Sequence, residues 1–331
     1  MYRTLKNFVS YERFVLGVTG LCILSLYIFA LSQHQAKAYP AGPSVAADKK
    51  TNIVTVKSPQ KTTRVLLVGS NDKLLDVFKR IGYQLDGVRR HGEVPRLFLN
   101  TLPRELSTIR VVADRKRLFI KSALPLILHV NELILAERAR VIDLKMRLGR
   151  GEEITPEDGA WLVQTRERYG VKRLDFAELL RRIDIIPPSL ALAQGAEESG
   201  WGTSRFAREG NALFGQRIFK GARGIVPNKR DRGQTHRIRV FPHLIDGVKA
   251  YAKNLNTHPA YRLLRGARAK LRAADKLING AALAPTLVNY SERREKYVEA
   301  IETIIHANGF HHFDKAHLGD QLTVIAIGSG I

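Results

Sequence analysis

The stretch that most restricts the fold is SLALAQGAEESGWG, running from Ser189 to Gly202. Pro187-Pro188-Ser189 ends one helix and opens the next, and the new helix is built on Ala191, Ala193, Gly195 and Ala196. Glycine inside a helix costs about 0.5–1 kcal/mol relative to alanine, so Gly195 makes sense only where a neighbour comes very close. The segment is therefore expected to be buried. Gly200 marks its end and leaves two adjacent carboxylates, Glu197 and Glu198, in the last turn. There the negative end of the helix dipole and each carboxylate's neighbour both disfavour ionisation. A carboxyl that keeps its proton near neutral pH is what protonation of a glycosidic oxygen requires. Taken alone, the segment also fits two solvated glutamates at a helix end.

The flanking chain places this helix in a mostly helical α+β fold. Between about Ala113 and Leu148, apolar residues including Phe119, Leu126, Val130, Val141 and Leu144 recur at helical spacing, with Pro125 expected to kink or divide the run. Thr155-Pro156 reads as a cap and first residue of another helix reaching about Tyr169, and Asp175 as the cap of a third through Ile183. From Gln216 to Phe241, glycines interrupt short β-prone pieces, which predicts a hairpin or small sheet inserted between helices. Helix resumes at Asp246-Gly247 and continues in pieces to about Asn308. Helices beside a small sheet predict a cleft.

Phe14 to Leu31 is uncharged, and 18 helical residues span ~27 Å, close to the ~30 Å hydrocarbon core of a bilayer. Arg3, Lys6 and Arg13 precede it and predict a cytoplasmic N-terminus. Ala36-Lys37-Ala38 also fits a signal cleavage site, so anchor and cleaved signal both stand. The resulting division is a basic N-terminus at 1–13, an anchor or signal at 14–31, a flexible linker at 32–63, an accessory strand and helix region at 64–150, a catalytic domain at 151–308 and a tail at 309–331. The only cysteine, Cys22, lies in the apolar run, which excludes an intramolecular disulfide. With 54 Lys and Arg against 31 Asp and Glu, the net charge of +23 predicts an anionic polymer or surface as partner. Export and the lack of any nucleic-acid-binding motif argue against nucleic acid. The ten histidines, His311-His312 among them, show no metal-ligand spacing, so no metal or cofactor is expected.

AQGAEESGWG at 193–202, followed by SRFAREGNALFGQ at 204–216, resembles the glucosaminidase domain of glycoside hydrolase family 73, in particular its Bax-type subgroup of bacterial envelope proteins. The similarity extends from roughly Asp184 to Ile305. The resemblance implies a lysozyme-like catalytic domain that cuts peptidoglycan glycan strands as an endo-β-N-acetylglucosaminidase in the cell envelope, held at the inner membrane by the N-terminal segment or exported. It puts the catalytic acid immediately before serine, at Glu198, with Glu197 at a variable position. It makes Tyr290 a partner facing that acid, and Asn211, Phe214 and Gln216 part of the sugar cleft, with Ala212 a mild departure from the family's element. Trp201 would stack on a sugar or pack in the core, and Tyr251 and Tyr261 belong to core or rim. The family's second acid has no obvious counterpart. Only Asp231 stands in the right region, inside the charged stretch Lys229 to Gly233, while Asp246 reads as a helix cap. A lone acid suffices where the substrate's 2-acetamido oxygen attacks the anomeric carbon. A lytic transglycosylase and a non-catalytic basic wall-binding module are the competing readings.

Overall fold

The computed structural model describes residues 46–48, 53–58, 61–68, 74–218, 223–227 and 235–327, with the backbone alone for 46–68, 104–105 and 321–327. The apolar segment at 14–31 and Asp231 lie outside the described residues. Three strands open the described chain, β1 Ala46–Asp48, β2 Ile53–Ser58 and β3 Lys61–Val68. Helices α1 Leu74–Arg80 and α2 Leu85–His91 then lead to β4 Glu93–Leu97. The long helix α3 Val112–Gly149 is followed by α4 Pro156–Arg168, α5 Phe176–Arg182, α6 Pro188–Ser199 and α7 Arg205–Gly210. The short strands β5 Arg217–Ile218, β6 Gly224–Ile225 and β7 Arg237–Arg239 form the β excursion, in the order β5-β7-β6. Helices α8 Leu244–Thr257, α9 Arg262–Ala273, α10 Gly280–Leu283 and α11 Glu295–Ala307 precede a last strand, β8 His317–Ile327.

Two sequence expectations are corrected here. The 32–63 stretch is not wholly linker, since β1, β2 and β3 pair antiparallel within and beyond it. The reason is local: Ile53-Val54-Thr55-Val56 and Thr62-Thr63 are β-branched residues that fit a pleated surface, despite the polar composition around them. The 309–331 tail is structured as well. Its strand β8 runs parallel between β3 and β4 in the five-stranded order β1-β2-β3-β8-β4. Pro95 lies where the β4–β8 register shifts, between Val94 and Arg96, on an edge strand where a missing N–H is tolerated. Phe310 and Phe313 are buried just before β8, and one hydrophobic core reaches from Phe78 to Leu318, so packing is continuous across the expected boundaries at 150 and 308.

Pro125 does not divide α3, which runs through it as one helix of 38 residues. Every residue from Leu118 to Leu128 is buried, and that tertiary packing outweighs the ~3 kcal/mol that an interior proline costs. Among the described residues α3 alone is long and apolar enough to cross a membrane, but 78% of its apolar window is buried inside the protein. It is a core helix.

Helix α6 packs against α3, α10 and α11. A methyl group at Gly195 would meet Phe119 Cζ at 3.4 Å and Phe214 Cε1 at 3.5 Å, ordinary contact distances, so both rings lie against the helix here without the very close approach that the sequence led one to expect. The start of α6 is pinned by Asp314, whose carboxylate accepts from Ser189 N at 2.9 Å, Ser189 Oγ at 2.7 Å and Gly280 N at 3.1 Å. Any side chain at Gly280 would put its Cβ 2.1 Å from Ser189 Oγ and 2.8 Å from Leu190 N. Gly280→Ala is accordingly expected to cost about 1–3 kcal/mol by overpacking, read from the urea unfolding midpoint. A cost near zero would mean that the Ser189 node yields freely.

Candidate active site

Glu198 sits in the last turn of α6, which Gly200 closes in the left-handed region at φ 57° with its N–H to Ala196 O. Ser199 Oγ donates back to Gly195 O and accepts from Gly202 N at 2.8 Å, so the turn after the glutamate is fixed from both sides. The glutamate faces a cleft of about 420 Å³. One wall is Phe214, Gly215, Gln216 and Arg217, and the other is Tyr290, Ser291, Glu292 and Arg293, with Asn254 and Tyr261 between them. Gly215 has φ +58°, and a Cβ there would stand 3.4 Å from Glu198 Oε2. That position lets the backbone pass close to the acid without crowding it.

Behind the carboxylate runs a buried chain of hydrogen bonds. Tyr251 O–H donates to Gln194 Oε1 at 2.7 Å, Gln194 Nε2 donates to Tyr297 Oη at 2.9 Å, and the Tyr297 hydroxyl bonds Glu198. Because Tyr297 accepts from Gln194, its own proton is directed at the carboxylate. Burial pushes the Glu198 pKa up and Glu197 adds to the rise, while the Tyr297 hydrogen bond, Arg293 and Arg217 oppose it. The net direction is upward, toward a carboxyl that holds its proton. Tyr297→Phe removes a donor that favours the ionised form and should raise that pKa further. A general acid loses activity as pH rises through its pKa, so the alkaline limb of the pH–kcat profile is expected to move to higher pH in this variant. An unmoved limb would detach Tyr297 from Glu198.

The structure brings Glu198, Tyr290, Phe214 and Gln216 to one cleft and leaves two expected site residues out of it. Tyr290 stacks on Tyr297 with centroids 5.3 Å apart and 11° between planes, and Phe214 stacks on Tyr251 at 3.8 Å and 9°. Asn211 does not line the cleft. It ends α7 in the left-handed region at φ 51°, and its Nδ2 donates to Phe241 O and Pro242 O at 3.1 Å each, holding the turn that delivers Phe214. Trp201 likewise lies outside the cleft, edge-on to Phe119 at 5.7 Å and Phe310 at 6.1 Å. Glu197 pairs with Arg293 at the rim, and Asp246 forms a capping box with His243 at the start of α8. Gln194, Tyr297 and Asn254 were not singled out in the sequence, nor was Glu292, which pairs with Arg217 across the cleft mouth at 3.2 Å. Gln194 carried a usable signal: four residues before Glu198, it is the one amide in an apolar helix and shares the glutamate's face. Tyr297 carried none, because it falls in register with Val298, Ile301 and Ile305 on the buried face of α11.

Residues 174–309 match the glucosaminidase family, described as mannosyl-glycoprotein endo-β-N-acetylglucosaminidase. The protein Bax of Escherichia coli (strain K12) is 36% identical over 189 residues, which are 55% of this chain and 66% of that protein. The chain carries a glucosaminidase domain. The matched span opens just before α5 and closes after α11, so Glu198, the Gln194–Tyr297 chain and both cleft walls all belong to the glucosaminidase domain. The catalytic domain of the autolysin Auto from Listeria monocytogenes aligns with 16% identity over 52% of this chain and 96% of that one, at a TM-score of 0.28.

Proposed function

We propose that the glucosaminidase domain hydrolyses peptidoglycan glycan strands as an endo-β-N-acetylglucosaminidase, with Glu198 protonating the leaving oxygen. The observation that carries this reading is a half-buried carboxyl of raised pKa, hydrogen-bonded from behind and facing a cleft of aromatic and polar groups. Phe214, Tyr261 and Tyr290 offer faces against which sugar rings can pack, while Gln216 and Asn254 offer hydrogen bonds to hydroxyl and acetamido groups. The nucleophile in this reading is the substrate's own 2-acetamido oxygen. It attacks the anomeric carbon as Glu198 gives its proton to the departing oxygen, and Glu198 then takes a proton from the water that opens the resulting ring. Glu292 is exposed and engaged by Arg217, which suits the rim better than a second catalytic carboxylate. The +23 charge suits an anionic wall, and the enzyme's place in this reading is the cell envelope, with the apolar segment at 14–31 as anchor or export signal.

The test is the chemistry of the product ends. Digestion of purified wall followed by mass spectrometry is expected to give reducing N-acetylglucosamine ends. Anhydro-muramic ends, lighter by one water, would make the enzyme a lytic transglycosylase, and binding of wall with no cleavage would leave only the non-catalytic module.

A further inference from the structure

A second cleft, of about 500 Å³, shares no lining residue with the first. Its wall is the start of α3, where Ala113, Lys116, Arg117, Ile120 and Lys121 fall at helical spacing on one face. Arg89 from the end of α2 and His312 from the turn before β8 complete it. Four cations, Arg89, Lys116, Arg117 and Lys121, line this cleft beside one carboxylate, Asp86. Arg89 pairs with Asp86 at 2.7 Å, Arg117 pairs with Asp114 at 2.7 Å, and Lys116 donates to Asn308 Oδ1 at 3.0 Å, so that of the four only Lys121 is left without a polar partner among the described residues.

Lys121 is the informative member. It is only 4% exposed, and no ion pair or hydrogen bond reaches its ammonium among the described residues. Its Nζ has only the rings of Phe78 and Tyr83, each 5.6 Å away. Burial, Arg117 and Lys79 all act to push its proton off. Beside it, the buried Tyr83 hydroxyl has no hydrogen-bond partner either. A second observation points the same way: α3 begins at this cleft after Val111, which gives no side-chain cap, so the free N–H groups of its first turn, around Ala113, face the lining with partial positive charge. A cation whose stem is buried, whose ammonium opens only on the cleft and which has no counter-charge carries a cost that an anion supplied from outside would lower.

We infer that this cleft binds a phosphoryl group, with Lys121 at its floor and Lys116, Arg117 and Arg89 around its mouth. A phosphoryl group suits it better than a carboxylate because three or more acceptor oxygens can meet donors arriving from α2 and from two successive turns of α3. Free phosphate and a phosphodiester lipid headgroup share this chemistry. The site is independent of the glycosidase reading, since none of its residues touches the Glu198 cleft.

The test is calorimetric titration of the full chain, in detergent at constant ionic strength, with inorganic phosphate, glycerophosphoglycerol and acetate. Saturable binding of at least one phosphorus compound, with acetate inert, is expected. Lys121→Met should weaken that binding by about tenfold or more, the effect of losing one charge-assisted contact. The double variant Lys116→Gln/Arg117→Gln, altered only at the cleft mouth, should weaken it as well and serves if Lys121→Met fails to fold. Preference for inorganic phosphate assigns the free ion, and preference for the diester assigns the lipid headgroup. No binding, equal binding of acetate, or affinity unchanged in the variants overturns the inference.

Discussion

Glu198→Gln is expected to lower the rate of wall cleavage by ~10²–10⁴-fold while leaving the protein folded. Glutamine keeps the size of the side chain and still accepts from the Tyr297 hydroxyl, so the hydrogen-bonded chain back to Tyr251 has no reason to break. It cannot give up a proton to the glycosidic oxygen. The comparison that isolates this effect is Glu197→Gln, one residue earlier, whose carboxylate pairs with Arg293 at the surface. Exposed pairs contribute ~0–1 kcal/mol, so that variant should keep most of its activity. Equal losses in the two variants would mean that the helix end as a whole matters and that Glu198 has no special role. A folded Glu198→Gln enzyme with full activity would remove the assignment altogether.

The second large effect lies far from the cleft. Arg268→Met is expected to lower stability by ~3–5 kcal/mol, the cost of breaking a buried charge network by removing one partner. Arg268 is fully buried on α9, and burial pushes its pKa down to about 10. Its guanidinium donates to Asp184 O at 3.0 Å, Ile185 O at 2.8 Å, Arg181 O at 3.0 Å and Arg182 O at 3.3 Å. Those carbonyls belong to the end of α5 and the connection into α6, so one side chain holds the path that leads to the helix carrying Glu198. Methionine would leave them facing apolar surroundings with no donor. Asp184 would also lose a nearby charge, although Arg272 at 2.7 Å and Arg138 at 3.7 Å remain. Arg272→Met is the control: its side chain is 40% exposed and water can replace part of what it gives, so its cost should be clearly smaller. Equilibrium urea unfolding measures both, and a difference below about 1 kcal/mol between them would show that the four carbonyls find other partners.

What could be read from residues alone was local. The caps at Thr155 and Asp175 donate no surprise, each accepting the backbone N–H groups that its position in the sequence implied. The small-residue helix and its terminal glutamates were legible because alanines and Gly195 mark a buried stretch, and Gly200 answers a backbone demand, the left-handed φ of 57° that closes the helix. Phe214 and Tyr290 were found by resemblance, and physics alone would have left them as core. Asn211 shows the opposite failure: a polar residue beside a site looked like a ligand contact, yet both donors of its amide are spent on carbonyls of the Phe241 turn. Trp201, for which sugar stacking and core packing both stood, packs edge-on against Phe119. The β8 strand could not have been anticipated, because its pairing partners lie at the other end of the chain and nothing in a local window encodes them.

That pairing sets an order of assembly. Strands β3 and β4 do not touch each other and are joined only through β8, which is made some 220 residues or more after them. As the chain emerges, α1, α2 and β4 have an open flank until its last portion arrives. The same portion brings Asp314, which fastens Ser189 and with it the first turn of the helix that carries Glu198 in its last turn. Completion of the structure around Glu198 is therefore a late event of synthesis. A chain that stops or is clipped before residue 314 should emerge without the fastening that sets its acid in place.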